Sequence, residues 1–329
     1  MSQVAELFSQ RLLNDFQRDF PLTPDPYEQL ARILGVSADD VMKELELLKS
    51  HGKISRIGPV FRPNTVGAST LAAMAVPADK IESVAEVINS FAQVNHNYER
   101  EHTYNLWFVV TDSNKDTLNT TLTTIEEKTG YKLMSLPLLK GYFIDLGFDL
   151  SKGSHENKVL DQGVKKDIKL PAYSELLIEV AQHGLPLTAR PYADLGRQVG
   201  LTEQQVIKGL GDLIDAGVIK RLGVVVRHRK LGFQSNAMVV WDVPRDRIDI
   251  IGQQMGSQSC VNLCYQRPRL GEQWPYNLFC MIHGRNRDDV LECIDDMRKD
   301  MGIQNMSYDI LFSQRCFKQR GAVYRHGPA

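Results

Sequence analysis

PLTPDPYEQLARILGVSADDVMKELELLKSHGKISRIGPVFRPNTVG, residues 21–67, lies without a gap over PLTARPYADLGRQVGLTEQQVIKGLGDLIDAGVIKRLGVVVRHRKLG, residues 186–232. Nineteen of these 47 positions are identical, among them Pro21/Pro186, Tyr27/Tyr192, Gly35/Gly200, Gly52/Gly217, Arg56/Arg221, Gly58/Gly223 and Arg62/Arg227. Such self-similarity marks a duplication. Further on, VNHNYEREHTYNLW (94–107) resembles VNLCYQRPRLGEQWPYNLF (261–279), with extra residues in the second copy. The repeat therefore runs through nearly the whole half-chain.

Within the quoted stretch, Tyr27, Leu30 and Leu34, then Val41, Leu45 and Leu48, carry helical spacing. Gly35 between them suits the left-handed turn that joins two crossed helices. Ser37 and Thr202 are natural N-caps, and Gly52 and Gly217 sit where a helix should stop. KISRIGPVFR then reads as a strand-like wing, which completes a winged helix-turn-helix. Upstream, Val4, Leu7, Phe8, Leu12 and Phe16 predict one apolar side of an N-terminal helix.

The rest of each half reads β-α-β-β-α-β, the order of a ferredoxin-like sandwich. In the first half the strands fall at 68–76, 94–100, 104–112 and 133–145; in the second at 235–243, 260–267, 275–283 and 304–316. The fold class is α+β, a tandem duplication of winged helix-turn-helix plus ferredoxin-like domain. The expected divisions are 1–67, 68–148, a polar linker at 149–170, 171–232, and 233–329 with a basic tail. Two such open sheets in one chain predict a built-in pseudo-dimer, and leave room for a homodimer of whole chains.

Composition narrows the partners. Lys+Arg number 39 and Asp+Glu 40 in 329 residues, so no global basic field attracts nucleic acid. No stretch is apolar enough for a membrane helix, and MSQVAELFSQRLLNDF is not a signal peptide, so a cytoplasmic protein is expected. The five cysteines, 260, 264, 280, 293 and 316, are odd in number and lack zinc or iron–sulfur spacing, which suggests reduced thiols. The would-be reading helices oppose DNA binding. Residues 37–50 set Lys43 and Lys49 against Asp39, Asp40, Glu44 and Glu46. Residues 202–216 set Lys208 against Glu203, Asp212 and Asp215. Both are net acidic, and an acidic helix beside phosphates is repelled without counterion release.

Cations and histidines gather elsewhere. Period-2 spacing puts Arg56 and Arg62, like Arg221 and Arg227, on one face of a regular strand, followed by His228, Arg229 and Lys230. These suit carboxylate recognition through guanidinium forks, or else a solvated wing. His96, Tyr98 and Arg100 also share one strand face, with His102 in the link beyond. The second copy offers Tyr265, Arg267, Tyr276 and His283, with Leu263 in place of His96. Cys264 reads as a small buried hydrophobe. The segment after Asp309 contains no acid, so its cations either close over an anionic ligand or form a disordered end.

HNYEREHTYNLWF, YQRP…WPYNLFCMIHG and the shared GxIxRxG resemble the siroheme decarboxylases, relatives of the Lrp/AsnC regulators that act in haem d1 synthesis. The resemblance covers almost the full length and fits a form with two homologous subunits fused. It implies loss of CO2 from the acetates at carbons 12 and 18 of siroheme, giving 12,18-didecarboxysiroheme. It also implies homologous subunits as pathway partners and no cofactor beyond the iron-tetrapyrrole substrate, with no metal in the apo protein. Eight substrate carboxylates call for several cations: Arg56, Arg62, Arg100, Arg221, Arg227, His228 and Arg267 are the candidates. His96 or His102 suits the proton donor, with the other oriented nearby or touching the substrate iron. Tyr98, Tyr104, Tyr265 and Tyr276 suit the macrocycle walls. Two rival readings stay open on the residues: a ligand-responsive DNA-binding regulator and a non-catalytic siroheme carrier.

Overall fold

The computed structural model describes residues 3–144, 170–227 and 235–324. The expected linker, apart from Leu170, and the residues His228, Arg229, Lys230 and Arg325 lie outside the described residues. In chain order the elements are α1 (Gln3–Asp15), α2 (Pro26–Leu34), α3 (Ala38–Ser50), β1 (Ile54–Phe61), β2 (Ala68–Met74), α4 (Ile81–Ser90), β3 (Val94–Arg100), β4 (Leu106–Asp112), α5 (Lys115–Thr129), β5 (Leu133–Pro137) and β6 (Lys140–Ile144). The second half follows with α6 (Ser174–Ala181), α7 (Pro191–Val199), α8 (Glu203–Asp215), β7 (Ile219–Val226), β8 (Ser235–Trp241), α9 (Ile248–Ser257), β9 (Val261–Gln266), β10 (Leu278–Gly284), α10 (Arg287–Asp300) and β11 (Tyr308–Gln319). Two compact units result, one gathering both helix-turn-helix segments and the other both ferredoxin-like segments.

In the helix-turn-helix unit each turn is set by a glycine: Gly35 at φ 71° closes α2 and Gly200 at φ 70° closes α7. A Cβ is disfavoured in that left-handed region. Capping boxes then start α3, through Ser37 and Asp40, and α8, through Thr202 and Gln205. The two wings pair with each other: β1 runs antiparallel to β7 with Gly58 opposite Gly223. The chain after α1 crosses β7 so closely that a Cβ on Gly223 would lie 2.4 Å from the Gln17 carbonyl oxygen. Tyr27 donates to the Pro186 carbonyl at 2.9 Å, and Tyr192 donates to the Pro21 carbonyl at 2.7 Å. The Pro/Tyr identities shared by the repeats therefore build a reciprocal clasp between copies. Leu12 and Phe16 are buried as expected of α1, whereas Leu7 is exposed and Leu13 buried instead. The apolar stripe continues past the helix end into Phe20, which shifts the buried side.

The ferredoxin-like unit is a nine-stranded sheet in the order β5-β2-β4-β3-β11-β8-β10-β9-β6. The first half supplies β5-β2-β4-β3 and the second β11-β8-β10-β9, the order expected of the βαββαβ unit in each case. The join is an exchange. Tyr308–Phe312 of β11 pair with β8, and the strand then carries on as Ser313–Gln319 beside β3 of the first half. In the other direction, the strand expected at 133–145 breaks in two: β5 pairs with β2, and β6 pairs with β9 of the second half.

Alternation along the strands sorts three cores. Ala72, Met74, Leu106, Phe108 and Val110 face α4 and α5. Ala237, Val239, Trp241, Leu278 and Cys280 face α9 and α10. The opposite faces meet in a mixed core of Leu71, Ala73, Trp107, Met134, Leu136, Met238, Val240, Tyr265, Trp274, Phe279, Met281 and Leu311. Burial of this size of apolar side chain contributes about 1.5–3 kcal/mol each, so the halves are held by shared hydrophobic area as well as by strands.

Two expectations are corrected here. Cys260 and Cys293 form a disulfide, because the start of β9 lies beside α10 across 33 residues of sequence that local spacing does not relate. Cys264, Cys280 and Cys316 remain thiols. The basic tail, as far as it is described, is not a loose end. Arg315 pairs with Glu99 and Glu82. Lys318 donates to the Asn89 and Phe91 carbonyls at 2.7 and 2.9 Å, and Arg320 donates to that of Ala92.

Candidate active site

β3 bulges between Val94 and His96. His96, Tyr98 and Arg100 then share the face opposite to Asn97, whose amide reaches Asn89 and the Ala85 carbonyl of α4. His96 Nδ1 lies 3.2 Å from the Tyr98 hydroxyl, and the two rings are near parallel. His96 keeps a partly open surface, yet burial holds its imidazole down to about 4, so it is neutral near pH 7.

His102 occupies the turn after β3. Its Nδ1 accepts the Tyr104 backbone N–H at 2.9 Å, which leaves the proton on Nε2, 3.5 Å from an Asp309 carboxylate oxygen. Burial lowers its pKa and outweighs the opposing effect of Asp309. Trp274 packs edge-on against His102 at 5.5 Å between centroids, and also against Tyr104, Trp107 and Tyr276. Gln273 donates to the Tyr104 hydroxyl at 2.7 Å. The environment of His102 thus mixes residues of both halves. Trp274 is fully buried, and its indole N–H has no acceptor among the described residues.

The second half repeats part of this. Tyr265 is buried and stacks on Phe279, with the Arg267 guanidinium 4.6 Å from its centroid. Burial lowers the pKa of Arg267, opposed by Tyr265. Burial, then Asp309 and Asp242, raises that of Tyr276. Leu263 stands at the place of His96 and packs against the mixed core. The Asn105 side chain brackets the Val76 backbone N–H and carbonyl, and Asn277 brackets those of Val243. The repeated Tyr-Asn pair therefore carries a turn-shaping amide.

The predicted arginines divide. Arg100 and Arg267 form a reciprocal clasp: Arg100 donates to the Leu311 carbonyl at 3.0 Å, and Arg267 donates to that of Leu136. Each reaches the fourth strand of the other half. Arg56, Arg62, Arg221 and Arg227 belong to the helix-turn-helix unit. The register irregularities of the β1–β7 pair fall at Ser55 and Lys220, ahead of each arginine pair rather than within it. Arg56 donates to Pro59, Arg62 to Gly217, and Arg221 to Gln17 and Val224 carbonyls. Burial, with Arg18 and Arg56 adding repulsion, lowers Arg221 to about 9. The backbone of Arg227 pairs with Lys53. Sequence reasoning missed Trp274, Gln273 and Asp309; the longer link of the second copy was the available signal for the first two.

Known proteins match this architecture. The model of the siroheme decarboxylase NirDL-like HTH domain matches residues 9–54 and 175–220, and that of the AsnC-like ligand binding domain matches 66–142 and 230–318. The siroheme decarboxylase NirDL subunit of Paracoccus denitrificans is 41% identical over 95% of this chain and 96% of its own length. The chain belongs to the siroheme decarboxylase NirDL family. A further member, the siroheme decarboxylase of Hydrogenobacter thermophilus, is 29% identical over 94% of this chain and 92% of its own. The NirD subunit of Pseudomonas aeruginosa covers 43% of this chain at 46% identity. A crystal structure of the family's siroheme decarboxylase NirDL superposes with TM-score 0.70 at 26% identity, covering 96% of this chain and 94% of that one. Another, in co-complex with an iron-uroporphyrin III analogue, gives 0.66 over 97% and 94%.

Proposed function

We propose that this chain is a cytoplasmic siroheme decarboxylase of haem d1 synthesis, converting siroheme to 12,18-didecarboxysiroheme. The observation that carries the reading is the neutral His96 bonded to Tyr98 on the inner face of β3, in a chain whose relatives bear that activity by name. The neighbour holding an iron-uroporphyrin III analogue supports a tetrapyrrole ligand. Among the described residues no helix is long and apolar enough to cross a membrane.

In the reaction the bond between the acetate methylene and its carboxylate breaks. CO2 leaves, the electron pair stays on the methylene carbon and spreads into the macrocycle, and a proton converts that carbon to a methyl. The iron belongs to the substrate, and no other cofactor is required. His96 delivers the proton. It is neutral in the free protein, but the carboxylates of the bound substrate raise its pKa, as nearby opposite charge favours the charged form. Binding therefore takes up a proton. His102, oriented by Asp309, shapes the turn and orders the wall formed by Tyr104 and Trp274. An arginine on the scissile carboxylate would stabilise the ground state and slow the reaction; Arg100 and Arg267, engaged by carbonyls, meet the spectator carboxylates. Separate homologous subunits and a homodimer are the further partners we propose, tested by light scattering of the pure chain.

Anaerobic incubation with siroheme, followed by product mass, tests the reading. Loss of two CO2 is expected. Tight binding with no loss would leave a carrier, and no binding would overturn the assignment. His96→Ala should lower kcat by about 10²–10⁴, and the roles given to both histidines fail if His96→Ala and His102→Ala decarboxylate at the wild-type rate.

A further inference from the structure

His283 follows Phe279 and Met281 on the inner face of β10 and lies opposite Asn236 of β8 in the ladder. Its Nδ1 is 2.7 Å from Asn262 Oδ1, and its Nε2 is 3.4 Å from Asn236 Nδ2. Asn236 Oδ1 in turn lies 3.4 Å from Arg100 Nη1, the atom that also donates to the Leu311 carbonyl. Arg100, Asn236 and Asn262 are all buried. The Arg100 guanidinium sits 5.6 Å from the centroid of Tyr98, and Tyr98 bonds His96. A connected run of polar side chains therefore leads from the second half to His96.

The run has one polarity, and arginine sets it. A guanidinium only donates, so Asn236 must turn its oxygen to Arg100. Its NH2 group then faces His283, whose Nε2 must accept. The imidazole proton is left on Nδ1, where Asn262 Oδ1 accepts it. The opposite amide orientation would set an N–H of Asn236 against an N–H of Arg100. The matching positions of the first half carry no histidine: Ser69 and Thr111 stand in register there, and Asn95 donates to Thr111 at 2.7 Å. The half that lacks a histidine at Leu263 thus places one on the neighbouring strand, directed at its sister.

We infer that His283 is a positioning residue: through Asn236 it fixes Arg100, and through Arg100 the Tyr98–His96 pair. The inference rests on the reading that His96 acts on siroheme. The test uses the full chain with 13C-labelled histidine, in wild type, His283→Leu, His283→Gln and Asn236→Leu. Glutamine keeps an acceptor near the Nε2 position. In the ligand-free protein the His96 resonance and its titration should shift in His283→Leu and Asn236→Leu and stay near wild type in His283→Gln. With siroheme, kcat should fall about tenfold in His283→Leu, the Kd read from the visible spectrum, which also senses Arg100, should weaken by a clearly smaller factor, and His283→Gln should recover most of the rate. An unmoved His96 resonance with wild-type kcat in His283→Leu overturns the inference. So does equal impairment of the leucine and glutamine variants, or loss of melting temperature with no split between kcat and Kd. A wild-type protein that releases no CO2 overturns the functional reading instead, and the His96 resonance still decides the coupling.

Discussion

His96 stores a pH dependence. Its imidazole falls from an ordinary 6.5 to about 4 because burial penalises the charged form. Between those values the unfolded chain holds a proton that the folded chain does not. Stability therefore drops as pH falls from 6.5 to 4 and flattens below, by about 2–3 kcal/mol in all. Urea unfolding across that window should show the slope, and His96→Gln should flatten it; an unchanged slope would mean a well-hydrated ring. Arg221 is the opposite kind of residue. Its Nη1 serves the Gln17 and Val224 carbonyls, so Arg221→Met should cost about 1–3 kcal/mol of stability through unmade bonds and leave the siroheme Kd unchanged. A raised Kd would return Arg221 to the substrate. Residues that share a strand were legible in sequence: the alternation of His96, Tyr98 and Arg100 sufficed. Trp274 and Asp309 were not, because they reach His102 from the other repeat, and period says nothing about which chain segment lies opposite.

The helices of each helix-turn-helix were readable almost to the residue, since Gly35, Ser37, Gly200 and Thr202 act on their own neighbours. Ser37→Ala should remove about 1 kcal/mol through the lost cap, measurable by thermal unfolding. The acidic surfaces of α3 and α8 predict no salt-sensitive retention on duplex DNA; a specific shift in a gel, weakening with salt, would count against this. Strand pairing was harder. The spacing of the wing arginines placed them on their strands, but it could not show that Arg56, Arg62 and Arg221 turn to backbone carbonyls. The exchange of β6 and β11 was invisible for another reason: a strand's sequence specifies its buried side, not the neighbour on its edge.

At the scale of the chain, duplication has become interdependence. The mixed core draws on both halves, the wings pair with each other, and each ferredoxin-like half lends a strand to the other. A chain cut within 149–169 should co-purify as two fragments and keep activity when both are expressed together. Either fragment alone should aggregate, because half of the Trp107–Trp274 core would then face water. Recovery of one fragment as a stable, soluble species would show that the halves are merely tethered. Repeats of this kind are told from the sequence by self-comparison; how far they have grown into each other is not, since lent strands keep the same residues whichever sheet receives them. The exchange of β11 also changes what a shortened gene product would lose. A stop codon or proteolytic nick just after Phe312 falls at the far end of the second repeat, yet that repeat keeps its fourth strand. The injury lands more than two hundred residues upstream in the numbering, on the first repeat, whose histidine-bearing strand would be stripped of its neighbour. A lesion in the last few residues of the second repeat would present as a defect of the first repeat.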